Sequence, residues 1–205
     1  MLALVAGSGL AALAIVLAVI FLAGGSDDAE RAALEDAGCT LQSFPAMSNK
    51  NDHSDVPTET AKPNWNSSPP TSGPHYQQWA VWGFYGPDEP VPLAKSTHNL
   101  EHGGVIIHYG PDVPEGEVDE LQTWFNGTGD PNGLIIAPLA TNADKITLSA
   151  WSAPDATAGG TPDRGRGWLA TCTTFDEDAF SSFIEVHRYM GPERVPPEGL
   201  APGSL

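Results

Sequence analysis

The 205-residue sequence predicts an α+β fold, with a small mixed β-sheet and two packed helices. A long irregular proline-rich wrap is expected at the N-terminal side of this sheet, preceded by one transmembrane helix. Two observations support the fold class. The second half of the chain combines short apolar runs, typical of buried strands, with two segments of helical periodicity. From Thr40 to Thr97, in contrast, apolar residues follow neither the two-residue period of strands nor the 3.6-residue period of helices, and prolines are frequent.

The predicted elements of the second half follow in the order strand, helix, strand, strand, strand, helix. The first helix is predicted over 117–125, where apolar residues recur on one helix face and Gly127 follows. The second begins in the acidic turn at 176–178, buries Phe180, Phe183 and Ile184, and is stopped by Met-Gly-Pro at 190–192. This pattern does not give the strand order. The strand-like runs are 104–109, 134–138, 146–151 and 168–171.

The N-terminal segment predicts a membrane anchor. Residues 2–23 are all apolar or small, and a helix of that length reaches about 30 Å, the thickness of a bilayer core. A cleaved signal peptide is the alternative, because the small residues at 23–26 resemble a cleavage site, although the apolar run is longer than a usual signal core. Both interpretations export the rest of the chain. We expect a single-pass protein of the cell membrane whose C-terminal domain lies outside the cytoplasm.

The chain is expected to divide into four parts. These are a transmembrane anchor (1–25), a juxtamembrane stalk (26–38), an extracytoplasmic α+β domain (39–195) and a tail (196–205).

The two cysteines, Cys39 and Cys172, lie far apart in a chain that is expected to be exported. That arrangement favours one disulfide over a metal or redox pair, for which Cys-x-x-Cys spacing is typical. Two buried free thiols are the alternative.

The charge balance limits the partners. With 9 basic and 26 acidic residues, the net charge is −17. A field of this sign repels phosphate backbones, so we expect no nucleic-acid partner. It attracts cations, although solubility outside the cytoplasm explains the same composition.

Segment 97–104, Thr-His-Asn-Leu-Glu-His-Gly-Gly, carries the strongest sign of chemistry. Imidazole is the commonest ligand of borderline transition metals, and His98 and His102, at i and i+4, can share one ion from a single helical turn. His75 lies among prolines that restrict its backbone and is the best candidate for a third ligand, with His53 as a fourth. Such a donor set favours copper or zinc over calcium or magnesium.

Glu101 has several interpretations. It can orient a ligand imidazole by accepting a hydrogen bond from it, or it can tie down the proline-rich wrap through backbone N–H groups. Tyr76 is also expected to contact the metal ligands without binding the metal itself. His98-x-x-Glu101-His102 also matches the inverted zinc-protease signature, in which the glutamate activates water. Those hydrolases need a long helix, whereas nearby prolines and glycines limit this one to a turn or two.

A third function class remains open beside metal binding and metal-dependent hydrolysis. The histidines then only brace the wrap of a non-catalytic envelope scaffold or interaction domain. His108, in a strand, and His187, near a helix C-terminus, are expected to be structural. No catalytic residue is assigned, and metal binding is the function that the sequence predicts.

Several stretches together resemble the family catalogued as domain of unknown function 3105. The resemblance covers roughly residues 39–194, and His53 lies where that family tends to carry a histidine before its Pro-Pro motif. It implies a membrane-tethered extracytoplasmic domain and supplies no activity. The matching stretches are Pro-Pro-Thr-Ser-Gly-Pro-His-Tyr at 69–76, 79–85, His-Asn-Leu-Glu-His-Gly-Gly at 98–104, Ala150-Trp151 and Gly-Pro-Glu at 191–193.

Overall fold

The computed structural model describes residues 25–48, 52–53, 56–153 and 165–204. Within them the chain forms one six-stranded mixed sheet and four α-helices, which confirms the α+β class. The helices are α1 (Gly25–Asp36), α2 (Leu93–Glu101), α3 (Glu115–Gly127) and α4 (Glu177–His187). The strands are β1 (Thr40–Pro45), β2 (Gly83–Phe84), β3 (Val105–Tyr109), β4 (Leu134–Pro138), β5 (Ile146–Ser152) and β6 (Arg166–Cys172).

The strand order is β1-β6-β5-β3-β4-β2. Strands β2, β4 and β3 run parallel, whereas the β3-β5, β5-β6 and β6-β1 pairs are antiparallel. The predicted order of elements is observed as β3, α3, β4, β5, β6, α4. Two further strands were not expected, whereas α1 lies in the polar stretch of helical composition at 26–38 and α2 extends the one or two helical turns expected near His98. β1 and β2 are edge strands, partly exposed and without clean alternation, so neither leaves a periodic signal in the sequence.

One face of the sheet packs against α1, α3 and α4 and forms the larger apolar core. Ile107 of β3 and Ile136 of β4 lie in it with Leu121 of α3 and Phe183 of α4. The disulfide between Cys39 and Cys172 joins the start of β1 to the end of β6 in the same core, so the expected pairing is confirmed.

Helix α1 packs on α4. Its Leu34 side chain is buried in the apolar core, and Glu30 contacts Nε2 of His187 at 2.8 Å, with both side chains buried. The polar stretch at 26–38 is therefore held against the domain over the length of α1. The expected boundaries of anchor, stalk, domain and tail stay predictions.

The opposite face is covered by α2 and by the described parts of the proline-rich segment, 46–48, 52–53 and 56–82. Ile106 and Trp151 form a smaller apolar core there with Trp82 and Leu100. Seven of the nine residues of α2 are buried, most of them polar. Because a buried polar side chain is costly without a partner, this layer must satisfy its polar groups internally.

Among the described helices, none combines the length and the apolar character that crossing a membrane requires. The expected span at 2–23 lies outside the described residues.

Candidate metal centre

Helix α2 and the residue that follows it present three titratable side chains to one side. His98, Glu101 and His102 are spaced at i, i+3 and i+4, which places them next to one another on a helical surface. With nine residues, α2 has about two and a half turns at 3.6 residues per turn, more than the turn or two expected. It can start directly after Pro92 because the residue before a helix does not need its N–H.

The glycines after α2 allow a distant segment to approach the helix end. Gly103 has a φ of +86°, and a Cβ at this position would lie 2.9 Å from the Cα of Tyr189. The Tyr189 N–H donates to the Gly103 carbonyl at 2.7 Å, and the Glu193 N–H donates to the Glu101 carbonyl at 3.0 Å. A Cβ on Gly191 would overlap that same Glu101 oxygen. This docking brings Glu193 beside α2.

Hydrogen bonds hold the proline-rich segment on the helix. The Asn99 side chain accepts from the Ala80 N–H at 2.8 Å and donates to the Ala80 carbonyl at 2.9 Å. The His75 N–H donates to the carbonyl of Asp52 at 3.1 Å, which places His53 close to it. The irregular segment is therefore ordered where it supplies histidines.

Three imidazoles from separate parts of the chain meet at α2. The ring centroids of His75 and His98 lie 4.7 Å apart. The ring centroid of His53 lies 4.8 Å from that of His75 and 5.1 Å from that of His98. With Glu101 they form what we call the inner group, whose candidate ligand atoms all lie within 4.8 Å of one another. Oε2 of Glu101 is 3.1 Å from Nε2 of His75 and 3.7 Å from Nε2 of His98.

His102 belongs to an adjacent set, which we call the outer group, formed by His98, Glu101, His102 and Glu193. Its Nε2 atom lies 3.1 Å from Nε2 of His98 and 3.6 Å from Oε2 of Glu193. The four histidines singled out in the sequence thus fall into two groups that share His98 and Glu101. Glu193 was not expected, although it lies in the Gly-Pro-Glu stretch of the family resemblance.

Backbone carbonyls fix the orientation of two of the rings. Nδ1 of His75 lies 2.8 Å from the Gly73 carbonyl, and Nδ1 of His98 lies 2.8 Å from the Tyr76 carbonyl. A carbonyl only accepts, so each Nδ1 carries a hydrogen and each neutral ring has its lone pair on Nε2. Metal-binding histidines commonly donate their second ring nitrogen in this way. Tyr76 therefore contributes through its carbonyl.

Burial keeps His98 and His102 neutral by lowering the pKa of each ring. It lowers the pKa of His98 from 6.5 to about 4, more than the Tyr76 carbonyl offsets, and the neighbouring His75 and His102 lower it further. Burial also lowers the pKa of His102, although Glu193 opposes the shift. Near neutral pH these rings are therefore in the unprotonated form that a metal requires.

The other two histidines join neither group. His187 contacts Glu30, as described above. His108 is buried on the α2 side of the sheet, and neither of its ring nitrogens makes a hydrogen bond within the described part of the chain. Complete burial lowers its pKa to about 4.

A separate groove of about 690 Å³ lies at the carboxyl ends of β2, β3 and β4. Phe84, Tyr109 and Pro138 line it, and its carboxylates, Glu115 and Asp119, come from α3. Ligands often bind at this edge of parallel strands. None of the residues of the inner and outer groups lines the groove, so the two features are distinct.

Comparison with known proteins identifies the family. No significant match was found among curated proteins or among solved structures. A family model described as protein of unknown function (DUF3105) matches residues 58–199, which include His75, α2 and Glu193 but not His53. Since the match spans more than half of the chain, this protein belongs to that family of proteins of unknown function.

Proposed function

We propose that the protein binds one divalent transition metal ion, zinc or copper, at the inner group, in a membrane-anchored domain outside the cytoplasm. The observation that carries the proposal is the contact between His75 and Glu101. The Nε2 atom of His75 makes no hydrogen bond among the described residues, although Oε2 of Glu101 lies only 3.1 Å away.

The hydrogen bond to Gly73 explains why this contact points to a cation. Because Nδ1 of His75 donates to that carbonyl, Nε2 is the ring atom that faces the carboxylate and the one left to bind a cation. A nitrogen lone pair and a carboxylate oxygen at this distance repel each other in a buried site unless a cation, either a proton or a metal ion, lies between them. Both side chains are fully buried, so water does not screen the repulsion.

The distances also suit a metal ion. At metal–ligand bonds of about 2.0–2.1 Å, a tetrahedral ion separates its ligand atoms by about 3.3–3.4 Å. The two separations from Glu101 to the histidines, 3.1 Å and 3.7 Å, lie on either side of this value. Three imidazoles and one carboxylate are a set typical of zinc or copper(II), whereas calcium and magnesium prefer oxygen ligands alone.

Three further properties support the proposal. A disulfide is typical of oxidising compartments, which agrees with export of the domain. The apolar run at 2–23 has the composition of a membrane anchor. The net charge of −17 would also concentrate cations near the exported domain.

The test is metal analysis of the full-length protein in detergent, after loading with zinc or with copper(II) and removal of unbound ions. We expect one ion per chain for the wild type, and none retained by His75→Ala or by His98→Ala. His108→Ala is the matched control, since it removes a buried imidazole from the same side of the sheet but outside both groups.

Two results would contradict the proposal. One is a wild type that retains no ion. The other is equal retention by the wild type and both site variants, which would place the metal elsewhere. If the variants also lower the melting temperature equally with and without a chelator, the histidines act as structural braces, as in an interaction domain.

A further inference from the structure

We infer that the outer group is an alternative position for the same ion, through which the ion passes on its way into and out of the inner group. This inference rests on the proposed metal binding at the inner group. It adds a route, and it states that the chain holds one ion at a time although the two groups lie side by side.

His98 makes the two positions mutually exclusive. Its Nδ1 atom donates to the Tyr76 carbonyl, so Nε2 is its only nitrogen with a lone pair. That one atom belongs to both groups. An imidazole nitrogen binds one ion at a time, so the inner and outer groups cannot both be complete. The Glu101 carboxylate, in contrast, has two oxygens and can stay bound while an ion moves.

Each group has one partly exposed residue, His53 in the inner group and Glu193 in the outer group, but the Nε2 atom of His53 is itself buried. The side chains of His75 and Glu101 are 0 % exposed and that of His98 is 4 % exposed. The side chain of His102 is 7 % exposed, and that of Glu193 is 38 % exposed. Of the two partly exposed residues only Glu193 is a carboxylate, so a hydrated cation arriving from solvent is attracted to Glu193 before it meets the buried ligands.

The hydrogen bond between the shared and the outer histidine defines the metal-free state. Since Nδ1 of His98 already donates to Tyr76, its Nε2 accepts, and Nε2–H of His102 is the donor at 3.1 Å. This bond covers the lone pair of His98 when no ion is bound. Before an ion can bind Nε2 of His102 in the outer position, the ring must change tautomer. It gives the Nε2 proton to solvent or to Glu193, 3.6 Å away, and takes up a proton on Nδ1 from solvent, so the ring stays neutral.

Movement inward then requires the exchange of only two ligands. The ion keeps Nε2 of His98 and the Glu101 carboxylate, and it replaces His102 and Glu193 with His75 and His53. An ion that keeps part of its ligand set does not have to be fully rehydrated during the transfer. His102 and Glu193 therefore speed both directions without being ligands in the final site.

The experiment measures rates and equilibrium separately, using zinc ions and the full-length protein. Glu193→Gln keeps the size of the side chain and the backbone N–H that docks on Glu101, but it removes the charge. Glu198→Gln is the matched control, because Glu198 is an exposed carboxylate close by in the sequence and belongs to neither group. Uptake is followed by stopped-flow, and release by transfer to a coloured chelator.

We expect Glu193→Gln to slow both uptake and release by a common factor on the order of ten, the lower end of the range for electrostatic focusing of a charged ligand. The dissociation constant should change much less than either rate, and Glu198→Gln should match the wild type. His102→Gln should slow both rates further, with circular dichroism as the check that it folds. If His102→Gln does not fold, Glu193→Gln alone tests the inference.

The inference is overturned if the wild type binds two zinc ions together, or if Glu193→Gln leaves both rates unchanged. Its failure can be separated from that of the proposed function. A wild type that holds one zinc ion, loses it on His75→Ala and is unaffected by Glu193→Gln retains the metal site but not the route. A wild type that holds no zinc excludes both.

Discussion

The two faces of the sheet are built on opposite principles. On the face that packs α1, α3 and α4, regular elements bury apolar side chains such as Ile107 and Phe183. On the other face, a short buried helix and an irregular proline-rich segment bury several imidazoles and the Glu101 carboxylate beside a smaller apolar core. Apolar burial on the first face stabilises the fold, whereas burial of charged and polar groups on the second face costs free energy. The first face therefore offsets the cost of the second.

The largest expected effect tests the apolar face through its disulfide. Replacing Cys39 and Cys172 with alanine opens a link between residues 133 positions apart, which costs about 5 kcal/mol in the chain-entropy model. Denaturant titration measures the loss. Zinc bound per folded chain should remain that of the wild type, and a loss of zinc in a variant that still folds would show that the two faces are not independent.

A smaller effect tests the buried polar face through pH. Burial lowers the pKa of His108 from 6.5 in the unfolded chain to about 4, so the unfolded state takes up the proton first. Its contribution to stability is therefore full above pH 6.5 and is lost as the pH falls to about 4. The loss is about 3 kcal/mol at 1.36 kcal/mol per pKa unit.

The measurement is the free energy of unfolding of the wild type and of His108→Gln between pH 7 and pH 4. The variant should lose less stability over this range, because it has no imidazole to protonate there. Parallel curves would show that the ring of His108 is not held neutral. Comparing the two proteins cancels the titration of the carboxylates and of His98.

Metal binding should stabilise the polar face by a comparable amount. A zinc concentration one hundred times the dissociation constant raises the free energy of unfolding by about 2.7 kcal/mol when only the folded state binds. Thermal melts should show the increase for the wild type and for Cys39→Ala with Cys172→Ala, and no increase for His75→Ala. An equal increase in His75→Ala would locate the binding outside the inner group.

The smallest effect tests how the proline-rich segment is attached. Asn99→Ala leaves the N–H and carbonyl of Ala80 without their side-chain partner, which costs roughly 1–3 kcal/mol for buried groups. The variant should also bind zinc more weakly, since His75 is carried by the same segment. Asn126→Ala, exposed on α3, is the control and should change stability by less than about 0.5 kcal/mol.

The apolar face could be predicted from the sequence because its signals are local. The spacing of Leu121 and Phe125 predicts a helix, and both side chains are buried in the core. The edge strands β1 and β2 could not be predicted, because they form by pairing with β6 and β4 and neither has a hydrophobic period of its own.

For the polar face, the sequence indicated the chemistry but not the arrangement. The residue types at His75, His98 and His102 pointed to a metal, and the structure does bring the first two together with His53. That His102 pairs instead with Glu193 depends on the docking of 189–193 against Gly103. This contact joins distant parts of the chain, and such contacts leave no periodicity in one sequence.

The burial of α2 on all sides affects how function can be studied in this family. Where a ligand-bearing helix is also packed through seven of its nine residues, almost every substitution in it perturbs folding together with any activity. A mutational scan of α2 would therefore report an intolerant segment whatever the protein does. Glu193 lies outside the helix and reaches solvent, so its substitution can separate a lost activity from a misfolded chain.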